Sequence, residues 1–240
     1  MTSAIARAIA DRRTGIGCDQ LVLLEKSKVA EVRMLIWNAD GGVAEACGNA
    51  ARCVVALTKA ATIETAGGVI AGASDGDEVE VAIGQPLFEW DAIPIAYPVD
   101  TVALPMGWDE LARPMAVNVG NPHLVFFVET IDEGRLRELG PIIEHDAAFP
   151  QRINVNVARV TGEGIELRTW ERGAGMTLAC GTGACATAVA AIIQKKANSP
   201  VRVEMAGGAL TIAWTAGQPI AMRGAATHVF TGEIDLEALR

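Results

Sequence analysis

Short apolar runs, several alternating with polar residues, are cut at intervals by Gly, Asp and Asn along this chain, and two longer segments are apolar on almost every side. The short runs read as strands, because a period of two sends successive side chains to opposite faces of a sheet. Residues 18–25 and 32–37 make a first pair, followed by the turn Asn38-Ala39-Asp40-Gly41-Gly42. Residues 68–74 and 79–84 bracket Asp75-Gly76-Asp77 as a hairpin. Residues 115–119 and 124–128 flank Gly120-Asn121-Pro122-His123, residues 155–160 are expected to pair with 165–170, and 201–205 with 209–214 across Gly207-Gly208. Residues 132–139 read as an amphipathic helix closed by Gly140-Pro141. The proline-punctuated stretch from 86 to 114 reads as an irregular connector, with a domain boundary near residue 112.

The two longer segments, residues 49–60 and about 183–196, read as helices, and they open alike. Ala46-Cys47-Gly48-Asn49-Ala50-Ala51 leads the first and Ala179-Cys180-Gly181-Thr182-Gly183-Ala184 the second. A helix apolar on every side has to be enclosed. The expected fold is therefore α+β: two similar domains facing one another, each a mostly antiparallel sheet wrapped around a central helix. Residues 1–112 with 226–240 would form the domain carrying Cys47, and residues 113–225 the one carrying Cys180.

Composition narrows the classes of function. The 240 residues suffice for two cores, and aromatics at 5% leave Ala, Val, Ile and Leu to fill them. The formal net charge is −9, with no basic cluster, so nucleic acid is not an expected partner. A basic amphipathic surface for anionic membranes is missing as well. The N-terminal residues lack a signal-peptide pattern, and the apolar run 184–193 is short of the ~20 residues a bilayer needs. The cytoplasm is the expected compartment.

Cysteine usage points to thiol chemistry. Five cysteines, at positions 18, 47, 53, 180 and 185, are an odd number with no C-x-x-C pair and no His at zinc-ligand spacing. A disulfide scaffold, a redox pair and a metal site are accordingly not expected. Cys53 and Cys185 fall inside the two helices and read, with Cys18, as packing residues. Cys47 and Cys180 stand at the helix starts, where unpaired N–H groups and the helix dipole favour an anion and lower a thiol pKa. Inverting a carbon that bears hydrogen needs a base on one face and an acid on the other, and a thiolate and a thiol can exchange those roles. No lysine stands in a pyridoxal-phosphate context and no G-x-G-x-x-G follows a strand, so the chemistry is expected to need no cofactor.

Several motifs in order, Asp11-Arg12-Arg13-Thr14-Gly15-Ile16-Gly17-Cys18-Asp19-Gln20, Asn38-Ala39-Asp40-Gly41, Cys47-Gly48-Asn49, Gly120-Asn121-Pro122-His123, Arg152-Ile153-Asn154, Glu171-Arg172-Gly173-Ala174-Gly175 and Cys180-Gly181-Thr182-Gly183, closely resemble the diaminopimelate epimerase family. His228-Val229-Phe230 and Gly232-Glu233-Ile234 resemble that family's ending. The resemblance implies that Cys47 and Cys180 are the catalytic thiols. It implies that Gly48 with Asn49, and Gly181 with Thr182, hold the α-carboxylate through backbone amides. Gln20, Asn38, Asn121, Asn154, Glu171 and Arg172 would contact the substrate, and His123 and Glu171 would adjust the thiol pKa values. It further implies cofactor-free interconversion of LL- and meso-diaminopimelate, enclosed between two similar domains, in a homodimer serving bacterial lysine and cell-wall synthesis.

Two departures stand out. The family opens with a strand bearing Gly-Asn-Asp-Phe, a motif found nowhere in this chain, so the opening strand of the first domain is expected to be missing, with one substrate contact. Ala50 stands where the family has Gly, which suits a first helical turn. Rival functions are a proline racemase or hydroxyproline epimerase, which also use two cysteines, and a truncated, inactive amino-acid-binding relative.

Overall fold

Polar caps and glycine turns decide where the elements begin and end, and apolar side chains decide which of them gather. The structure, a computed structural model, describes residues 1–44 and 47–237; Ala46, the first residue of one Ala-Cys-Gly repeat, and residues 238–240 lie outside them. The chain divides into two units, Met1–Ala82 with the residues from Gly224 onward, and Ile83–Arg223. The boundary expected near 112 therefore moves to 82, and the return expected at 226 begins at 224. The reason lies in the connector's side chains: Ile93, Ile95, Leu104 and Leu111 pack in one core with Phe126, Leu136, Ile143 and Phe149. An irregular backbone carries apolar anchors for the second unit.

The first unit begins with helix α1 (Ser3–Ala10), capped by Thr2 and burying Ala6, Ile9 and Ala10. Strands β1 (Gln20–Glu25), β2 (Val32–Asn38) and β3 (Val43–Ala44) precede helix α2 (Gly48–Thr58), and β4 (Thr62–Thr65), β5 (Gly68–Asp75) and β6 (Glu78–Ile83) follow it. The strand order is β1-β2-β4-β5-β6, with β3 beside β2. Among the described strands of this unit only β2 and β4 run parallel, and α2 lies in the connection between them.

In the second unit the short pair β7 (Gly107–Trp108) and β8 (Leu111–Ala112) leads into β9 (Met115–Asn118) and β10 (Pro122–Phe127). Helix α3 (Glu133–Glu144) then crosses to β11 (Asn154–Thr161), which turns back as β12 (Gly164–Glu171) and β13 (Gly175–Thr177). Helix α4 (Gly181–Ile193) precedes β14 (Val201–Met205), β15 (Gly208–Ala213) and β16 (Ile220–Ala225). The order is β16-β15-β14-β12-β11-β10-β9, with β13 beside β12.

The duplication suspected from two short motifs is a duplication of topology. A hairpin β1–β2 with an antiparallel flap β3, then α2, then parallel β4 and its antiparallel partner β5, is matched step for step by β11–β12, β13, α4, β14 and β15. Register agrees as well: Gln20 opposes Asn38 one step beyond the pair Leu21–Trp37. In the other unit Asn154 stands one step beyond Val155–Trp170, and Glu171 one step beyond Trp170.

The helices differ in cover. Helix α4 is buried from Gly183 to Ala191, and its small residues let β9 to β12, β14 and β15 pack around it. Helix α2 buries Ala50, Ala51, Arg52, Val54 and Val55 but leaves Leu57 69% exposed and Cys53 on the outer face. The expected enclosure on every side holds for α4 and not for α2, and Cys53 is not a packing residue. Helix α3 also departs from expectation, passing through Gly140-Pro141 to Glu144. Gly140 lies flat on the Trp170 ring, where an added Cβ would meet ring carbons at 2.6 Å, and buried Ile143 and Glu144 hold the turn beyond it.

Candidate active site

Each conspicuous cysteine is the N-cap of its helix. In the first unit the Cys47 Sγ accepts the Ala50 N–H at 3.4 Å, and in the second the Cys180 Sγ accepts the Gly183 N–H at 3.4 Å. A sulfur thus occupies the place where Ser or Asp usually satisfies a first-turn amide. The amides of Gly48 with Asn49, and of Gly181 with Thr182, belong to the same helix ends, and helix N-termini suit a carboxylate.

In the first unit Gln20 and Asn38 stand at the paired ends of β1 and β2, and Cys47 and Asn49 at the start of α2. Gln20 donates from Nε2 to Asn38 Oδ1 at 3.0 Å, as their cross-strand register requires. Arg52 donates to Asn49 Oδ1 at 2.9 Å. The long motif from Asp11 to Gln20 shapes the approach to β1. Asp11 Oδ1 accepts from the amides of Arg13 and Thr14, the amides of Ile16 and Gly17 return to the Ile9 carbonyl, and Arg12 pairs with Asp19 at 2.6 Å.

The second unit's set is richer. Cys180 is 4% exposed, and its Sγ lies 3.5 Å from Thr182 Oγ1. Glu171, at the end of β12, bears on the Cys180 thiol by charge and by hydrogen bond, and it accepts from Thr177 Oγ1 at 2.6 Å. Asn154 Oδ1 accepts the Arg172 N–H at 2.9 Å while Asn154 Nδ2 donates to the Pro122 carbonyl at 2.7 Å. The Arg172 guanidinium donates to the Gln151 carbonyl at 2.9 Å. His123, fully buried, has Nε2 2.9 Å from Asn121 Oδ1 and Nδ1 3.0 Å from Asn156 Nδ2.

Burial outweighs the hydrogen bonds to the sulfur at both thiols. The Cys47 thiol is pushed up from its ordinary value by burial, against the lowering effect of hydrogen bonds from Ala50 and Asn49 and of the Arg52 charge. The Cys180 thiol is pushed up to about 12 by burial first and then by the Glu171 carboxylate. The lowering expected from helix position alone is thereby corrected: desolvation disfavours a thiolate more than one or two N–H bonds favour it. His123 is lowered to about 3 by burial and the nearby Arg172 charge, so its ring is neutral.

The expected residues therefore fall into two sets, Gln20, Asn38, Cys47, Gly48 and Asn49 in one unit, and Asn121, His123, Asn154, Glu171, Arg172, Cys180, Gly181 and Thr182 in the other. Topological equivalence matches Gln20 with Asn154, Asn38 with Glu171 and Cys47 with Cys180. His123 is engaged by amide side chains. Sequence reading missed Asn156, Thr169 and Glu144. Asn156 is fully buried, and Glu144 holds the Glu171-Arg172-Gly173 turn through the Gly173 N–H at 2.9 Å. Asn156 was detectable as a second polar residue at period two in the strand Asn154-Val155-Asn156-Val157. Glu144 carried no local signal.

A two-unit α+β fold with a cysteine capping the crossover helix of each unit is that of an epimerase-like protein. A probable proline racemase from Agrobacterium radiobacter shares the fold with a TM-score of 0.68 at 16% identity, over 97% of this chain and 81% of that one. The sequence profile described as diaminopimelate epimerase matches residues 1–88 and 115–229. The diaminopimelate epimerase of Rhizorhabdus wittichii is 60% identical over 99% of this chain and 88% of its own length. That of Sphingopyxis alaskensis is 58% identical over 98% and 88%. The chain belongs to the diaminopimelate epimerase family.

Proposed function

We propose that this chain interconverts LL- and meso-diaminopimelate by moving a proton at one α-carbon, with Cys47 and Cys180 as the two acid/base groups. The observation that carries the proposal is the paired cap: two cysteines at equivalent topological positions, each with Sγ 3.4 Å from a first-turn amide. The identity to curated diaminopimelate epimerases supports the substrate. In this mechanism the helix-end amides of Gly48 and Asn49, and of Gly181 and Thr182, hold the α-carboxylate and stabilise charge that spreads onto it as the α-proton leaves.

Both thiols rest protonated, so one has to lose its proton before it can act as the base. The substrate's α-ammonium, a cation brought beside them, favours thiolate over thiol. Cys180 has Glu171 as a neighbouring acceptor, whereas Cys47 has the neutral Asn38 at the equivalent strand position. Gln20, Asn38, Asn121, Asn154 and Arg172 are assigned to the polar groups of a substrate charged at both ends. A homodimer working in the cytoplasm, in lysine and cell-wall synthesis, belongs to the same proposal and rests on the family.

Single substitutions test it. Cys47→Ala and Cys180→Ala should each retain the fold by circular dichroism and each lose epimerisation by at least about 10²-fold, the scale of one missing acid/base group. Full turnover by either variant would overturn the pairing.

A further inference from the structure

A chain of buried hydrogen bonds leads from the second unit's core to Asn121, and its polarity can be read without ambiguity. It starts from a group that can only accept. Asn156 Nδ2 lies 2.9 Å from the Leu124 carbonyl, so that branch of the Asn156 amide is the NH2, and Oδ1 is the branch that receives Thr169 Oγ1–H at 3.0 Å. The same Nδ2 faces His123 Nδ1 at 3.0 Å. A nitrogen facing an NH2 donor has to accept, so the ring proton resides on Nε2. His123 Nε2–H then donates to the Asn121 atom 2.9 Å away, which has to be Oδ1.

Resting on the epimerase reading above, we infer that Thr169 and Asn156 are positioning residues that act through His123 to lock the Asn121 amide, so that its Nδ2 amino group donates to a carboxylate oxygen of the substrate. An unlocked asparagine could turn either its oxygen or its nitrogen outward, and the oxygen would repel a carboxylate. The relay removes that choice before substrate arrives. It also ties recognition to the thiol helix: an added Cβ at Gly183 would meet Asn156 Oδ1 at 2.7 Å and Thr169 Oγ1 at 3.1 Å. Gly183 is the residue whose N–H donates to Cys180 Sγ, so the relay and the Cys180 cap share one rigid junction.

The test combines a spectroscopic readout with kinetics. The protein has three histidines, so 15N-histidine labelling with long-range proton–nitrogen spectra, assigned through His145→Gln and His228→Gln, reports the His123 tautomer in the ligand-free protein. The expected result is a neutral Nε2–H imidazole. Asn156→Asp, which offers Nδ1 a carboxylate in place of a donor, should move the proton to Nδ1 and raise KM for diaminopimelate about tenfold or more, the worth of one misplaced polar contact, with a smaller change in kcat. Thr169→Ser keeps the hydroxyl donor and should preserve both tautomer and KM. An Nδ1–H or cationic His123 in the parent protein would overturn the relay, as would an Asn156→Asp variant with an altered tautomer and unchanged KM. Should Asn156→Asp not fold, the parent tautomer together with the KM of Asn121→Asp, expected to rise at least as far, decides the matter. Absence of turnover in the parent would sink the epimerase reading, while the tautomer would still decide the relay.

Discussion

Cys180 sits under conditions that oppose each other. Its position as an N-cap favours the thiolate, and its burial and the Glu171 carboxylate favour the thiol. Burial wins, with the pKa pushed up to about 12 from an ordinary 9.0. The consequence for stability has a definite sign. A folded-state pKa above the unfolded one means that the native state holds a proton which the unfolded chain releases. The contribution is intact below pH 9.0 and is lost as pH climbs toward about 12. One such group steepens the alkaline loss of stability by at most about 1.4 kcal/mol per pH unit. Urea unfolding of the parent and of Cys180→Ala between pH 8 and 11 should show a flatter curve for the variant. Identical slopes would mean that the thiol ionises as freely in the folded protein as in the unfolded chain. Cysteine identity and helix position were legible from sequence; the outcome of this competition was not, because it depends on tertiary burial and on Glu171 at the end of β12.

At the scale of elements, strands with turn signatures were the most legible. The Asp75-Gly76-Asp77 turn and the β11–β12 and β14–β15 hairpins follow from glycines between periodic runs. Helix ends misled where tertiary contacts overrode local signals. Gly140-Pro141 is a stop by local rules, yet α3 continues because Gly140 admits the Trp170 ring and Glu144 accepts Trp170 Nε1–H at 2.8 Å. Gly140→Ala would force that ring away and loosen the Glu144 clamp on Gly173. It should destabilise the protein by about 1–3 kcal/mol in urea unfolding, the range for overpacking a tight contact. Gly162→Ala, with open space around the added Cβ, should stay within about 0.5 kcal/mol of the parent. Equal stability of the two variants would show that the Trp170 contact yields without cost. Strands β4 and β16, and helix α1, escaped notice for a different reason: each is short, and pairing or packing with distant segments holds it in place.

Across the whole molecule, the repeat that sequence suggested through a few residues proves to be a duplicated order of strands, flap and crossover helix. Two Ala-Cys-Gly motifs were enough to place Cys47 and Cys180 at helix starts, because a helix start has a local signature. The assignment of residues 83–112 to the second unit was not legible, since prolines advertise a linker while the apolar anchors around Ile93 and Leu104 need partners more than 20 residues away. The difference between the units, with Glu171 in one and Asn38 at the equivalent place in the other, likewise becomes visible only through strand register. What the duplication would accomplish is a base and an acid of the same chemical kind, each carried by its own unit and each able to serve one face of a carbon. That claim is tested most directly by epimerisation in heavy water, starting from fully protiated LL-diaminopimelate and stopped early. Two separate thiols predict meso product carrying one solvent deuterium at the inverted carbon while the remaining LL substrate stays protiated. Deuterium appearing equally in substrate and product would mean that a single group removes and returns the proton, and would contradict the account.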